Sequence, residues 1–252
     1  NRTQKVSWTL GGKIVPNRFF TFTTQVKQRW EDNEYDTLAE VNPGQQTFLV
    51  FLKLDGIEES STLTWKPYRW VQNSLKYQFF DTVYMPRQSA QSTGVQVYNI
   101  SENHMITSQF TYDITVQPID PLLLMLSYSH VQNYVRTLAA SQPGGTALPY
   151  IPTFNSGDNS WLFSASYSPT EYLTLTNTVT YIISPNYVDF SDGVPYGSNF
   201  KELTVSTGIE WTYHKWLKIS PTYEYASYRD NSLAGAGNYS ANIFKFDVKF
   251  AW

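Results

Sequence analysis

Residues Ala241-Asn242-Ile243-Phe244-Lys245-Phe246-Asp247-Val248-Lys249-Phe250-Ala251-Trp252 alternate without a break. Asn242, Phe244, Phe246, Val248, Phe250 and Trp252 fall on one side of a period of two. Ala241, Ile243, Lys245, Asp247, Lys249 and Ala251 fall on the other. A helix would scatter both sets around its axis, whereas a strand sends successive side chains to opposite faces. The stretch therefore reads as a strand with an aromatic face and a charged face.

The same division recurs upstream. Between Lys201 and Tyr213, the row Leu203, Val205, Ile209, Trp211 opposes the row Glu202, Thr204, Ser206, Gly208, Glu210. Ile106, Phe110, Tyr112, Ile114 and Val116 oppose Thr107, Gln109, Thr111, Asp113 and Thr115. Leu217, Ile219, Pro221, Tyr223 and Tyr225 oppose Lys218, Ser220, Thr222 and Glu224. Further strands are expected near Val6–Leu10, Phe19–Trp30, Val71–Tyr84, Leu122–Arg136, Trp161–Tyr167 and Leu173–Ile183. Connections alternate in length. Short turns fall at Lys66-Pro67-Tyr68, Pro118-Ile119-Asp120-Pro121, Ser168-Pro169-Thr170-Glu171 and Tyr213-His214-Lys215. Long Gly-, Pro-, Asn- and Ser-rich loops separate them, near Pro86–His104, Leu138–Asn159, Ser184–Asn199 and Asp230–Ser240.

Composition narrows what such strands can face. Only 15% of the 252 residues are charged and 17% are aromatic, yet the mean hydropathy is −0.37. Average soluble domains carry about 25% charged residues. Here Thr, Ser, Asn and Gln supply the polar half of each strand instead. No run of about 18 apolar residues exists, so no membrane helix can form. In hydrocarbon an unpaired N–H or C=O costs several kcal/mol, so a spanning sheet must close. Strands of this length, with short turns on one rim and long loops on the other, fit that solution. The expected fold is a single domain over 1–252: an all-β, antiparallel, up-and-down transmembrane β-barrel of about twelve strands. A soluble sandwich or lipocalin-like barrel also alternates, but its polar face usually carries Lys and Glu freely.

Eight strands are expected from Val71 to Trp252. The first seventy residues allow two readings. Four strands there, including Thr47–Leu54, give twelve in all with both ends at the periplasmic rim. Folding Thr47–Leu54 into the lumen as a loop leaves eleven. An odd count would make Asn1 the start of a trimmed or partial chain, the C-terminal part of a larger barrel. Twelve is the expectation taken forward.

The ending Phe244 to Trp252 resembles the closing strand of bacterial outer-membrane barrel proteins, which end in an aromatic residue preceded by alternating hydrophobics. That family usually ends in Phe, where this chain has Trp252. The resemblance implies the bacterial outer membrane and recognition by the barrel-assembly machinery, with Phe244, Phe246, Val248, Phe250 and Trp252 as the signal. The Pro-containing turns followed by Leu-x-Leu resemble porin-like barrels, including those that sheath multihaem cytochromes.

The candidate functional residues are the charges that parity places on the polar face: Asp113, Glu202, Glu210, Lys218, Glu224, Lys245, Asp247 and Lys249. Facing a lumen, they would line a pore and tune its ion selectivity. Paired with one another, they would fill a closed one. Both signs occur, so weak selectivity is expected. No catalytic site is expected: His104, His130 and His214 lie at different strand heights, and no cluster with a carboxylate or serine is evident. Asp189 and Asp192 read as a solvated acidic loop, so no metal site is expected. The absence of cysteine excludes thiolate metal sites, iron–sulfur clusters and covalent haem, and no cofactor is expected. A net charge of −3 offers no field for nucleic acid. Two functions compete: a passive, weakly selective pore for small polar solutes, and a structural barrel that anchors or sheaths a partner protein. The partners implied are outer-membrane lipid, the assembly machinery and, for the second function, an envelope protein.

Overall fold

A computed structural model describes residues 2–35, 47–90, 100–139, 153–186, 197–214, 216–232 and 237–250. They form eleven strands: β1 (Arg2–Asn17), β2 (Phe20–Glu34), β3 (Thr47–Tyr68), β4 (Val71–Ala90), β5 (Ile100–Ile119), β6 (Leu122–Ala139), β7 (Phe154–Thr170), β8 (Leu173–Pro185), β9 (Asn199–His214), β10 (Leu217–Asp230) and β11 (Tyr239–Phe250). All belong to one sheet whose spatial order is the chain order, and every pair is antiparallel. The eight strands expected after Val71 are β4 to β11.

The short turns lie on one rim. Tight connections join Asn17 to Phe20, Tyr68 to Val71, Ile119 to Leu122, Thr170 to Leu173 and His214 to Leu217. The hairpins are stitched to one another there. The carbonyls of Phe19, Trp70, Pro121 and Tyr172, evenly spaced along the chain, accept from the amides of Lys66, Gln117, Ser168 and Thr212 at 2.7–2.8 Å. The turn prolines are tolerated because rim positions need fewer ladder donors.

Cross-strand register sorts the side chains into two continuous faces. One carries Trp8, Leu10, Val26, Leu63, Leu75, Phe110, Ile114, Leu126, Phe163, Val179, Val205, Ile209, Tyr223 and Phe246. The other is dominated by Ser, Thr, Asn, Gln and charges. On the interior strands the large exposed side chains, such as Tyr77, Phe110, Leu126, Trp161, Phe163, Ile209 and Trp211, are almost all on the apolar face. Among the described residues Leu54, Gly56, Ser156, Ser184, Asn186, Gly208 and Asp230 are buried on the polar face, and Asn73 is the one buried on the apolar face. Small residues are crowded and large ones are open only if the sheet curves around its polar side. Leu54 is the one buried hydrophobic among the described residues. A soluble sandwich of this length would need a packed apolar interior, so the apolar face is suited to lipid rather than to a second sheet.

Three expectations are corrected. The strand count is eleven, not twelve, because Thr47–Leu54 and the charged segment before Trp65 form one 22-residue strand, β3. Asp55-Gly56 looks like a turn, but β2 and β4 pair without interruption on both sides of it, Arg29 and Thr82 lying opposite Gly56. The same continuity excludes a lumen loop at Thr47–Leu54. Secondly, closure is not found among these strands: β1 pairs only with β2, β11 only with β10, and the two make no contact. Thirdly, an odd count sends β1 and β11 the same way. Arg2 lies opposite Glu34 at the long-loop rim and Phe250 opposite Leu217 at the short-turn rim, so the two described ends sit on opposite rims.

The faces make a depth-dependent prediction. Val205, flanked by Val179 and Tyr225 about midway along β9, should not tolerate charge: Val205→Arg should cost roughly 2–4 kcal/mol. Ser206→Arg, one residue along on the polar face, should cost less than about 1 kcal/mol. Urea titration of the protein folded into phosphatidylcholine vesicles would measure both, and equal costs would refute the face assignment.

Candidate functional site

The polar face gathers the sequence-derived charges as parity required, in two places. Seven of the eight lie on β9, β10 and β11. Across β10–β11, Lys218 faces Lys249, Ser220 faces Asp247 and Thr222 faces Lys245; across β9–β10, Glu224 faces Ser206 and Tyr228 faces Glu202. Within this patch Lys218 Nζ meets Glu210 Oε1 at 2.5 Å, and Lys245 Nζ donates to Glu224 Oε2 at 2.8 Å. Asp247 and Lys249 have no ion partner among the described residues. Asp113 stands apart on β5, where Ser127 Oγ donates to its Oδ1 at 2.5 Å.

A second charged patch was missed by sequence reasoning. On β1–β3, Lys27 Nζ contacts Glu58 Oε2 at 3.1 Å and Lys5 Nζ lies 3.9 Å from Glu31 Oε2. Arg29 sits on the same face with its Nε buried and without a hydrogen-bond partner. The Lys27 and Glu58 side chains are about one-third exposed, 36% and 35%, so water screens the pair and its contribution is small. The signal existed in the spacing of Lys5, Lys27, Arg29, Glu31 and Glu58. Reading it required a register that the first seventy residues left open.

Between the patches the polar face is mostly uncharged, with Lys76, Asp113 and Asp158 as its charged members. Thr107 donates to Asn133, Gln109 to Ser129, and Asn133 to Ser156, at 2.8–3.3 Å. Near the long-loop rim Asn186 bridges Asp158, Ser184 and the amide of Gly157. Phe200, Tyr228 and Tyr239 form a stacked row there, with centroids 5.2 and 5.6 Å apart. Tyr228 and Tyr225 both lie toward the long-loop end of β10. Three residues apart in a strand, they fall on opposite faces. Gly208 marks how tight the concave side is: a Cβ there would lie 2.9 Å from Thr176 Oγ1 and 3.2 Å from Thr222 Oγ1.

Several polar atoms of the apolar face pair across strands, whereas Asp55 and Glu59 on that face have no cross-strand partner among the described residues. Asn177 Nδ2 donates to Thr207 Oγ1 at 2.8 Å, Tyr223 Oη to Asn242 Oδ1 at 2.7 Å, and Tyr112 Oη to Asn73 Oδ1 at 3.0 Å. Aromatic contacts flank the short-turn rim, with Trp65 over Tyr112, Trp211 against Tyr213 and Trp216 over Phe250. A second group, Tyr128–Trp161–Tyr181, lies higher on the same face. The histidines stay apart. His104 Nε2 is 2.6 Å from Asp81 Oδ1, a pair that sequence reading did not see. His130 Nδ1 is 3.0 Å from Asn159 Oδ1, and His214 lies against Trp216. Among the described residues no hydroxyl is hydrogen-bonded to His104 and no group of three potential metal ligands forms. Asp189, Asp192, Ala251 and Trp252 lie outside the described residues.

This architecture, an up-and-down antiparallel sheet with an apolar convex face and a polar concave one, is that of bacterial outer-membrane β-barrels. No family model and no curated protein matches the chain. Solved structures do. The ferric yersiniabactin uptake receptor FyuA from Yersinia pestis superposes over 98% of this chain and 39% of its own, with 13% identity and a TM-score of 0.62. The ferric-catecholate import receptor Fiu from E. coli K12 superposes over 98% of this chain and 43% of its own, with 13% identity and a TM-score of 0.57. The translocator domain of the autotransporter NalP from Neisseria meningitidis matches 99% of this chain and 80% of its own at 14% identity, with a TM-score of 0.38. The chain thus spans about two-fifths of the length of either receptor, and the likeness is one of fold.

Crowding on the concave face should matter more than its charges. Gly208→Val should destabilise the folded protein by roughly 1–3 kcal/mol through overpacking against Thr176 and Thr222. Lys27→Met should change stability by less than about 1 kcal/mol. Denaturant midpoints of the two variants in one detergent would rank them, and the reverse order would refute the crowded-groove reading.

Proposed function

We propose that this chain forms the wall of a passive, weakly selective pore for small polar solutes in the bacterial outer membrane. The observation that carries the reading is the polar concave face, where cationic and anionic side chains alternate and largely neutralise one another: Lys218 with Glu210, Lys245 with Glu224, Lys27 with Glu58 and Lys5 with Glu31. Eight strands enclose a lumen that side chains fill, and sixteen leave an aqueous channel. Eleven strands still open at both edges belong toward the wider end. Mutual neutralisation leaves little net field to favour either sign of ion. The reading is non-enzymatic, since the three histidines are dispersed and the His104–Asp81 pair sits on the apolar face.

A second reading, a barrel that anchors or sheaths a partner protein, draws support from the sparsely charged middle of the concave face, where Lys76, Asp113 and Asp158 are the charged residues. The Ser, Thr and Asn side chains between the charged patches offer short hydrogen-bonding groups at an even height, which suits a polypeptide surface as well as water. We infer further that the row Phe244, Phe246, Val248 and Phe250, with Trp252 next in its sequence alternation, is what the barrel-assembly machinery engages. Phe244 and Phe246 are 80% and 69% exposed on β11, which pairs only with β10 among the described residues.

In planar bilayers the purified protein should give stable open currents, with a reversal potential in a KCl gradient close to zero. Lys218→Glu with Lys245→Glu should move it toward cation preference. Absence of current together with a stoichiometric co-purifying protein would favour the sheath. A pore selective for one ion would contradict the weak filter. Separately, Trp252→Ala with Phe250→Ala should lower the yield of heat-modifiable, folded protein in outer-membrane fractions several-fold while leaving synthesis unchanged.

A further inference from the structure

The two outer strands differ from all the others. On interior strands the polar-face side chains are half-buried between neighbours, whereas all sixteen residues of β1 and nearly all of β11 are exposed on both faces. Lys245, Asp247 and Lys249 on β11, and Lys5, Ser7 and Thr9 on β1, are open on the side away from β10 and β2. A Cβ at Gly12 of β1 would meet nothing within 4 Å. In lipid these edges cannot stay unpaired. The simplest closure, β1 on β11, fails on two counts. Both strands run from the long-loop rim to the short-turn rim, so the seam would be parallel in a sheet that is otherwise wholly antiparallel. They also make no contact, and the arc superposes with TM-scores of 0.62 and 0.57 on receptor chains of which it covers only 39% and 43%. A second copy inserted in the same orientation would place β11 beside the partner's β1, again parallel, at two seams.

We propose that β1 and β11 are docking edges for a transmembrane β-segment outside these 252 residues, with an odd number of strands, running antiparallel to both. It is not a second copy. An odd number is the parity that lets every seam be antiparallel, and it makes the total even, as bacterial single-chain barrels require. Joined ahead of β1, such a segment would also start at the short-turn rim, where β11 ends. The strand beside β11 must present an apolar row to Phe244, Phe246 and Val248, and neutral or charged groups to Asp247 and Lys249. The strand beside β1 must do the same for Val6, Trp8, Leu10 and Ile14. The inference rests on the barrel-wall reading above and specifies what completes the wall.

The chain has no cysteine, so introduced pairs report cleanly. In protein extracted from its producing outer membrane, Thr9→Cys would be combined in turn with Ala241→Cys, Ile243→Cys and Asp247→Cys and oxidised. Hydrogen exchange of β1 and β11 would be followed in parallel. The expected result is no cross-link within or between chains, with edge amides exchanging at least about 100-fold more slowly than the loops, as ladder-bonded amides do. An intrachain cross-link would establish β1–β11 closure and overturn the proposal, and a cross-linked dimer would replace it with a second copy. Unprotected edge amides would also overturn it. Failure of the barrel reading is distinguishable, because the protein would then be monodisperse without detergent.

Discussion

An unpaired amide in hydrocarbon has nowhere to turn, and that constraint organises this molecule. A strand crossing the bilayer carries about 9–11 residues in the apolar zone, and half of its backbone groups point toward each neighbour. Leaving one edge open there would strand about ten polar groups at several kcal/mol each, more than the roughly 5–15 kcal/mol that holds a typical domain together. Strand length, sequential antiparallel order and hairpin-to-hairpin stitching at the short-turn rim all serve that requirement. Stability here comes from the ladder and from the surrounding solvent, which explains how a sheet can persist with Leu54 as the one buried hydrophobic among its described residues.

The same logic decides which side chains go where. A curved sheet spreads its convex face and compresses its concave one. Large aromatic and aliphatic groups therefore stand on the convex side, where lipid accommodates them. Ser, Thr and Gly occupy the compressed side, and Gly208 stands where two threonine hydroxyls leave no room for a Cβ. Several polar side chains that remain on the convex face pair off, as Asn177 does with Thr207. Unpaired, each would expose donors and acceptors to a medium with none to offer.

Much of this was legible in the sequence because period two is a local property. The alternation from Lys201 to Tyr213 and from Asn242 to Phe250 assigns faces without any knowledge of neighbours, and all eight inward charges read that way lie on the polar face. Register and continuity are not local. The Asp55-Gly56 dipeptide carries turn chemistry, but β2 and β4 supply partners on both sides and hold it extended, so tertiary pairing overrode the local signal. Tyr225 and Tyr228 lie near one strand end, yet their spacing of three puts them on opposite faces. His104 and Asp81 meet only because the β4–β5 ladder returns the chain to the same height, which no spacing in the sequence announces.

Parity extends the argument from single strands to the whole wall. In an up-and-down sheet each added strand reverses direction, so the directions of the two outermost strands depend only on whether the count is odd or even. Eleven makes β1 and β11 parallel to each other. A uniformly antiparallel ring containing both must then hold an odd number of strands in the remaining arc, whatever its sequence. Width follows from the same count: each further strand enlarges the lumen and moves the charged patches of β1–β3 and β9–β11 farther from direct contact across it. Ion pairs formed between neighbouring strands, such as Lys245 with Glu224, survive that widening. Pairs formed across a lumen would not. The four Lys–carboxylate pairs of the polar face, all between adjacent strands, would therefore persist in a barrel of any size that this sheet helped to close.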